Sequence, residues 1–376
     1  MKVRRTNQPA SIGYFNLLKA YGIIVVLIFH TRILYFERPV DDLGMFSING
    51  AGMMMMFFIV SGFGFYKRKP MRTLKGQVRL ILLPYWGMCA LILLERLVYN
   101  LIMHIPYMDN GGSLILTYIL GLCVYPERKL AGIPGPVGTG FFQVLKGFPV
   151  SYIGLFWFIL SLFTGWIIYN LIRQCKNEKY VRIFVIIAVL LGWLLPMMTD
   201  LWPYCIPQGL LTAGCLYAGE QLRTKKLLEK PSPPLFYIPA ILWISISQIM
   251  GGGDMGTNTW NLGLADIISA FLIGIILIRI YVRIYRYIPE NRLIDLLEVI
   301  GADSFIFFCI HGVERVTVPW YVIRRFIGNP WLGTFIYFIL RCAFIICVYI
   351  LIRKIRTGMR KRERNKSPRV KITLES

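Results

Sequence analysis

Ten stretches of about 20 largely apolar residues recur along the chain, at 13–34, 48–66, 80–101, 152–169, 183–199, 204–220, 236–251, 261–278, 297–314 and 332–352. Runs of that length match the hydrocarbon thickness of a bilayer, and lipid admits only backbone whose polar groups are satisfied internally. The chain is therefore expected to be an all-α polytopic membrane protein of about ten transmembrane helices. Composition agrees, with 56% of residues hydrophobic and 16% charged and a mean hydropathy of +0.58. A secreted two-domain protein could share the length but not the repeated runs.

A formal charge of +23 would fit a nucleic-acid binder, but its placement points elsewhere. With ten spans, the clusters at 2–5, 67–79, 173–182, 223–230 and 279–292 and the tail at 353–371 fall on one side, carrying 31 of the 42 basic residues. The opposite side receives eight, and three (Lys19, Arg96 and Arg341) lie within spans. This bias places both termini in the cytoplasm and accounts for the charge by an anionic lipid bilayer, with no nucleic acid as partner. The chain divides into a membrane unit over 1–352 and a basic cytoplasmic tail over 353–376, which is too charged to form a core and is expected to stay unstructured near lipid.

Residues 113–125 are apolar but too short for an eleventh crossing, which would also split the basic loops between two sides. They read as interfacial or re-entrant, inside a Gly- and Pro-rich outer loop over 102–151. The eight cysteines are scattered without a CxxC pair and read as small buried residues. No small-residue cleavage site follows the first apolar run, so a cleavable signal peptide is not expected.

Ionisable side chains inside hydrocarbon are costly and commonly face a cavity or a partner. Lys19 and His30 lie eleven residues apart in the first span; at about 100° and 1.5 Å per residue they share one face, roughly 16 Å apart along the axis. His311 lies near the outer end of the ninth span, at a depth similar to His30. Histidine is suited to taking a proton from a hydroxyl near neutral pH, although either ring could equally be a hydrogen-bonded structural group. His104 follows the third span at the interface. Two separated histidines without a carboxylate pair make a poor metal site, and no metal is expected.

Lys19 and Arg341 lie where they could meet a cytosolic anion inside the protein, or pair within the bundle, Lys19 with Asp303 for instance. Glu95, Arg96 and Asp266 fall near the outer boundary, where solvent can satisfy them. The basic segment carrying Lys67, Arg68, Lys69, Arg72, Lys75 and Arg79 could hold phosphates, yet positive-inside topology produces much the same pattern. Ser61 and Gly62 permit close helix approach, Met53 to Met56 suit adaptable core filling, and Trp157 suits an interfacial anchor or a cavity mouth. There is no Walker loop, dinucleotide glycine motif, GxSxG elbow or HExxH, which removes support for ATPase, dehydrogenase and common hydrolase or zincin readings. On the residues alone, an enzyme and a transporter of a small polar or acylated molecule stand equal.

Several segments together resemble the integral-membrane acyltransferase family 3, which includes O-acetyltransferases of surface polysaccharides, peptidoglycan and related glycans. They are Lys19 through His30, Phe57-Phe58-Ile59-Val60-Ser61-Gly62-Phe63, the basic approach Arg72, Lys75, Arg79 before Leu80-Ile81-Leu82-Leu83-Pro84, Leu155-Phe156-Trp157, and Ile300-Gly301-Ala302-Asp303-Ser304 with His311. The likeness runs from about Ser11 to Ile352. Ala51-Gly52 with four methionines departs from the family's more polar, glycine-rich approach to the second span. The resemblance implies a membrane O-acetyltransferase with acetyl-CoA as donor substrate and no bound cofactor. His30 would be the catalytic base and His311 a second catalytic residue, with Lys19, Arg72, Lys75 and Arg79 receiving the donor. The acceptor would be a hydroxyl of a surface glycan or lipid-linked sugar.

Overall fold

The computed structural model describes residues 13–32, 35, 50–103, 111–121, 123–124, 129–130, 133–134, 154–198, 201–230, 234–250, 252–289 and 291–366. In chain order the helices are α1 (Gly13–Arg32), α2 (Gly50–Phe63), α3 (Pro70–Gln77), a π-helical turn (Val78–Leu82), α4 (Leu83–Met103), α5 (Gly111–Leu120), α6 (Trp157–Ile172) and α7 (Glu178–Met198). They continue with α8 (Ile206–Thr224), α9 (Pro234–Ile249), α10 (Leu264–Ile284), α11 (Arg292–Ala302), α12 (Ser304–Thr317), α13 (Tyr321–Phe326) and α14 (Pro330–Lys366). Six two-residue strands, β1 (Cys123–Val124), β2 (Lys129–Leu130), β3 (Ile133–Pro134), β4 (Leu201–Trp202), β5 (Gly253–Asp254) and β6 (Thr259–Trp260), form the antiparallel pairs β1–β4, β2–β3 and β5–β6.

Among the described residues, six helical stretches are long and apolar enough to cross a membrane: Gly13–Arg32, Pro70–Ile102, Gly154–Ile172, Glu178–Met198, Leu264–Tyr287 and Pro330–Met359. Gly50–Phe63 and Tyr237–Ile249 are shorter apolar helices. The chain is a helical, multi-pass membrane protein. The expected ninth span is not one helix, because the chain breaks at Asp303 between α11 and α12. The segment expected at 113–125 overlaps α5, ten residues long, too short to cross. Helix α14 runs on past the expected tail boundary to Lys366, so the first part of the basic tail is helical rather than unstructured.

Local chemistry sets several helix starts. Pro70 and Pro207 occupy first-turn positions of α3 and α8, where the missing N–H costs nothing. The Asn291 side chain accepts the Ile294 N–H at 3.0 Å, and that of Asn329 accepts the N–H groups of Trp331 and Leu332, both at 3.0 Å; each satisfies an orphan donor at a helix N-terminus.

Helix α8 packs against α6, α2 and α7; α2 joins this group to α10; and α10, α11, α12 and α14 surround α1. The α2–α8 contact depends on glycine. A Cβ on Gly219 would lie 2.0 Å from the Ile59 carbonyl oxygen, and one on Gly62 2.3 Å from that of Leu216. Gly219→Ala must push the two backbones apart, and is expected to cost about 1–3 kcal/mol. Thermal unfolding in detergent checks this, and an unchanged midpoint contradicts it. The methionine run fills the core as expected, with Met53, Met55 and Met56 all buried. Trp157 is also buried, packed on Phe58 with ring centroids 6.5 Å apart, so it is a core residue rather than an interfacial anchor.

Ring contacts fix which helix ends lie together. Phe15 near the start of α1 meets Phe63 at the end of α2, with centroids 4.9 Å apart, and Phe65 meets Tyr169 late in α6 at 4.6 Å. At the other end Phe158, early in α6, meets Phe308 of α12 at 5.0 Å. The basic stretches 67–79 and 173–182 therefore share one end of the bundle, and the last turns of α1 and α12 lie at the other. Cys205, at the start of α8, is disulfide-bonded, which corrects the reading of all eight cysteines as small core residues. Its disulfide lies at the second end, beside Tyr204, whose carbonyl accepts the Thr164 hydroxyl at 2.8 Å.

Candidate active site

The last turn of α1, the middle of α12 and the first third of α14 meet at one point. His30 is partly exposed and its Nδ1 lies 2.8 Å from the Val26 carbonyl oxygen. A carbonyl only accepts, so Nδ1 carries the proton and Nε2 is left with its lone pair. Thr31, the next residue, donates to the Leu27 carbonyl at 2.6 Å. The His311 ring lies against that of His30, with centroids 5.2 Å apart and planes at 65°. The two histidines placed at similar depth by sequence are thus neighbours.

His311 is buried, and its partner is a residue the sequence reading passed over. Its Nδ1 lies 2.8 Å from Glu314 Oε1 and 3.2 Å from Arg341 Nη2. The ring nitrogen cannot both donate to the carboxylate and accept from the guanidinium. The shorter contact, to the charged acceptor, is the stronger, so Nδ1–H donates to Glu314. His311 Nε2 is then a buried lone pair, with no hydrogen-bond partner among the described residues. Leaving a buried acceptor unmade costs about 1–3 kcal/mol.

Glu314 is saturated by donors from three directions. Arg341 Nε donates to Oε1 at 2.5 Å, and Trp320 Nε1, folded back past the end of α12, donates to Oε2. Arg341 is fully buried; it also reaches Thr31 Oγ1 at 3.3 Å and lies 5.2 Å from the centre of the Tyr337 ring one turn earlier. Within the cluster the Glu314 carboxylate pairs with the Arg341 guanidinium, and Arg315 adds a second positive charge close to both imidazoles. Of the two readings left open for Arg341, pairing within the bundle is the one seen: it ties α14 to α1 and α12 beside the histidines.

Glu314 carried a signal that sequence alone offers. It lies three residues after His311 in a helix, on the same face, but an apolar segment drawn to end at 314 makes it look like a loop residue.

The other expected site residues are elsewhere. Lys19 feels Asp303 at the break between α11 and α12, and Asp303 also accepts the Tyr349 hydroxyl at 2.6 Å. Arg72, Lys75 and Arg79 are exposed on α3 and the π-helical turn, which pack on α6. They lie at the basic end, not with the histidines. Asp266, expected at the solvent boundary, is buried and accepts from Ser247 Oγ at 2.6 Å and the Leu262 N–H at 2.7 Å. Glu95 and Arg96 pair loosely at 3.7 Å on the surface. His104 lies outside the described residues. Among the described residues no group of three or more His, Cys, Asp or Glu is gathered as metal ligands would be.

At one end of the helical bundle the site is thus an imidazole pair, one ring held by a buried carboxylate, and imidazole is the side chain that can take up or give a proton near neutral pH. The model of the acyltransferase domain that defines the integral-membrane acyltransferase family 3 matches residues 12–353, and the chain belongs to that family. It is a membrane acyltransferase, and the family implies a CoA-type acyl donor with a lipid or glycan acceptor. No curated protein and no solved structure matches it.

Proposed function

We propose that the protein is an O-acetyltransferase moving an acetyl group from cytosolic acetyl-CoA to a hydroxyl of a surface glycan or lipid-linked sugar. The observation that carries the reading is the His30 ring, with Nδ1 committed to the Val26 carbonyl and Nε2 left as a base at a partly exposed position. In this reaction His30 Nε2 takes the proton of the acceptor hydroxyl as its oxygen attacks the thioester carbonyl. The carbon–sulfur bond breaks, the acetyl ester forms, and the CoA thiolate leaves and is protonated. His311, oriented by Glu314, accepts a hydrogen bond from a hydroxyl of the acceptor through the Nε2 lone pair and so helps to place it. Direct transfer requires the thioester to reach within bond-forming distance of the acceptor, and Lys19, on the stripe below His30, lines that passage. Arg72, Lys75 and Arg79 receive the donor's phosphates at the basic end.

The orientation belongs to the same proposal. About ten crossings put the basic end and both termini in the cytoplasm, with the membrane unit over 1–352 followed by the basic tail. The disulfide at Cys205 supports it, because disulfides persist in oxidising compartments and this one lies at the histidine end. Thioester consumption by the purified protein, screened with candidate glycan acceptors, tests the activity. Thiol release that depends on an acceptor hydroxyl is the expected result; release at the same rate without any acceptor counts against it.

A further inference from the structure

At the basic end, away from the histidines, a cavity of ≈ 240 Å³ lies between the 228–230 segment, the start of α9, and the end of α10 with the helical turn 285–287 that continues it. Its polar lining is Lys230, Arg279, Arg283 and Arg286, with one carboxylate, Glu229, and the Tyr237 ring. The floor is apolar, from Leu228 and Val282. Positive-inside topology explains basic residues at this end, but not three arginines at i, i+4 and i+7 of one helix converging on a concave site.

Two features decide what chemistry fits. The volume is below the ~300–1,000 Å³ of sites for drug-sized ligands, which suits a phosphate headgroup and not a whole nucleotide-bearing thioester. The pocket also lies on the wrong face of α10 to feed His30. Tyr281 and Tyr285, which meet Tyr21 and Tyr14 of α1 at 5.6 and 6.1 Å, are about 150° round the helix from the arginine face, at about 100° per residue. Beside the arginines the surface turns apolar. Ile280 and Ile284 of α10 and Ile238 and Ile241 of α9 are exposed at 40%, 49%, 67% and 56%, as side chains against acyl chains would be.

We propose that this pocket binds the phosphate of an anionic phospholipid, with its acyl chains along the exposed isoleucines. Basic pockets between helices at a membrane surface recognise such headgroups, each Lys or Arg adding about fivefold in affinity. The site is separate from acyl transfer, so its test stands whether or not the transfer chemistry is correct. Protein in nanodiscs of phosphatidylcholine doped with phosphatidylglycerol, examined by native mass spectrometry, is expected to retain phosphatidylglycerol selectively. The triple variant K230Q/R283Q/R286Q is expected to lose on the order of 100-fold in that retention with an unchanged melting temperature. Should the triple variant not fold, R283Q and R286Q alone are each expected to lose about fivefold. Equal retention by wild type and variants overturns the proposal. Displacement of the lipid from wild type by millimolar CoA also overturns it, assigning the pocket to the donor instead.

Discussion

His30→Ala is expected to lower acyl turnover roughly 10²–10⁴-fold, the contribution of a general base, while the protein folds normally. The fold should survive because the ring's hydrogen bond is to a carbonyl of its own helix, at 2.8 Å, and the residue lies in the last turn of α1. The loss should fall on kcat more than on KM, since the proton moves only as the bond to the acyl carbon forms. Steady-state kinetics of the purified variant, beside its melting curve, provides the check. Normal turnover would remove His30 from the chemistry. His311→Gln should also slow turnover, because the amide has no basic nitrogen to replace Nε2.

Glu314→Ala is expected to damage the structure more than any other single change near the site. It leaves the Arg341 guanidinium buried without its carboxylate, and breaking a buried ion pair from one side costs about 3–5 kcal/mol. The Trp320 and His311 donors lose their acceptor at the same time. Pairing it with Arg341→Met removes the stranded charge and should recover much of the loss, as replacing both members of a buried pair by apolar groups often does. Melting temperatures of the two singles and the double, in one detergent, measure this coupling. Additive losses would show that the contact between Arg341 Nε and Glu314 Oε1 at 2.5 Å carries little energy. His311 should fare differently in the double variant, which rebuilds stability without restoring the ring's orientation, so activity should stay low.

The multi-pass helical architecture was legible because apolar runs of spanning length are dictated by lipid itself. The proximity of His30 and His311 was only half legible. Alternating spans set the depth, but depth says nothing about which helices touch; the packing of α1 against α12 and α14 decides that. Glu314 was missed because a boundary drawn from hydropathy ends where a charge begins, although its spacing from His311 was visible. Asp266 and Trp157 were misplaced for the same reason: hydropathy reads distance from water, whereas loops folding back over the bundle bury both. The break at Asp303 had a cue, an acidic residue in an apolar run, whose two sequence readings, a partner for Lys19 and part of a family segment, say nothing of a helix end. The Cys205 disulfide had none, since pairing depends on chain segments brought together at the end of the bundle.

The family places an acyl donor and an acceptor on this protein, and the bundle places basic groups and histidines at opposite ends. A transporter would share the helices but would need no thioester. Sided proteoliposomes separate these accounts most directly, with radiolabelled acetyl-CoA added only at the basic end and a glycan acceptor only at the histidine end. The account predicts labelled acceptor, formed with matching release of CoA on the donor side and lost with His30→Ala. Acceptor crossing the membrane unlabelled, with the thioester intact, would contradict it.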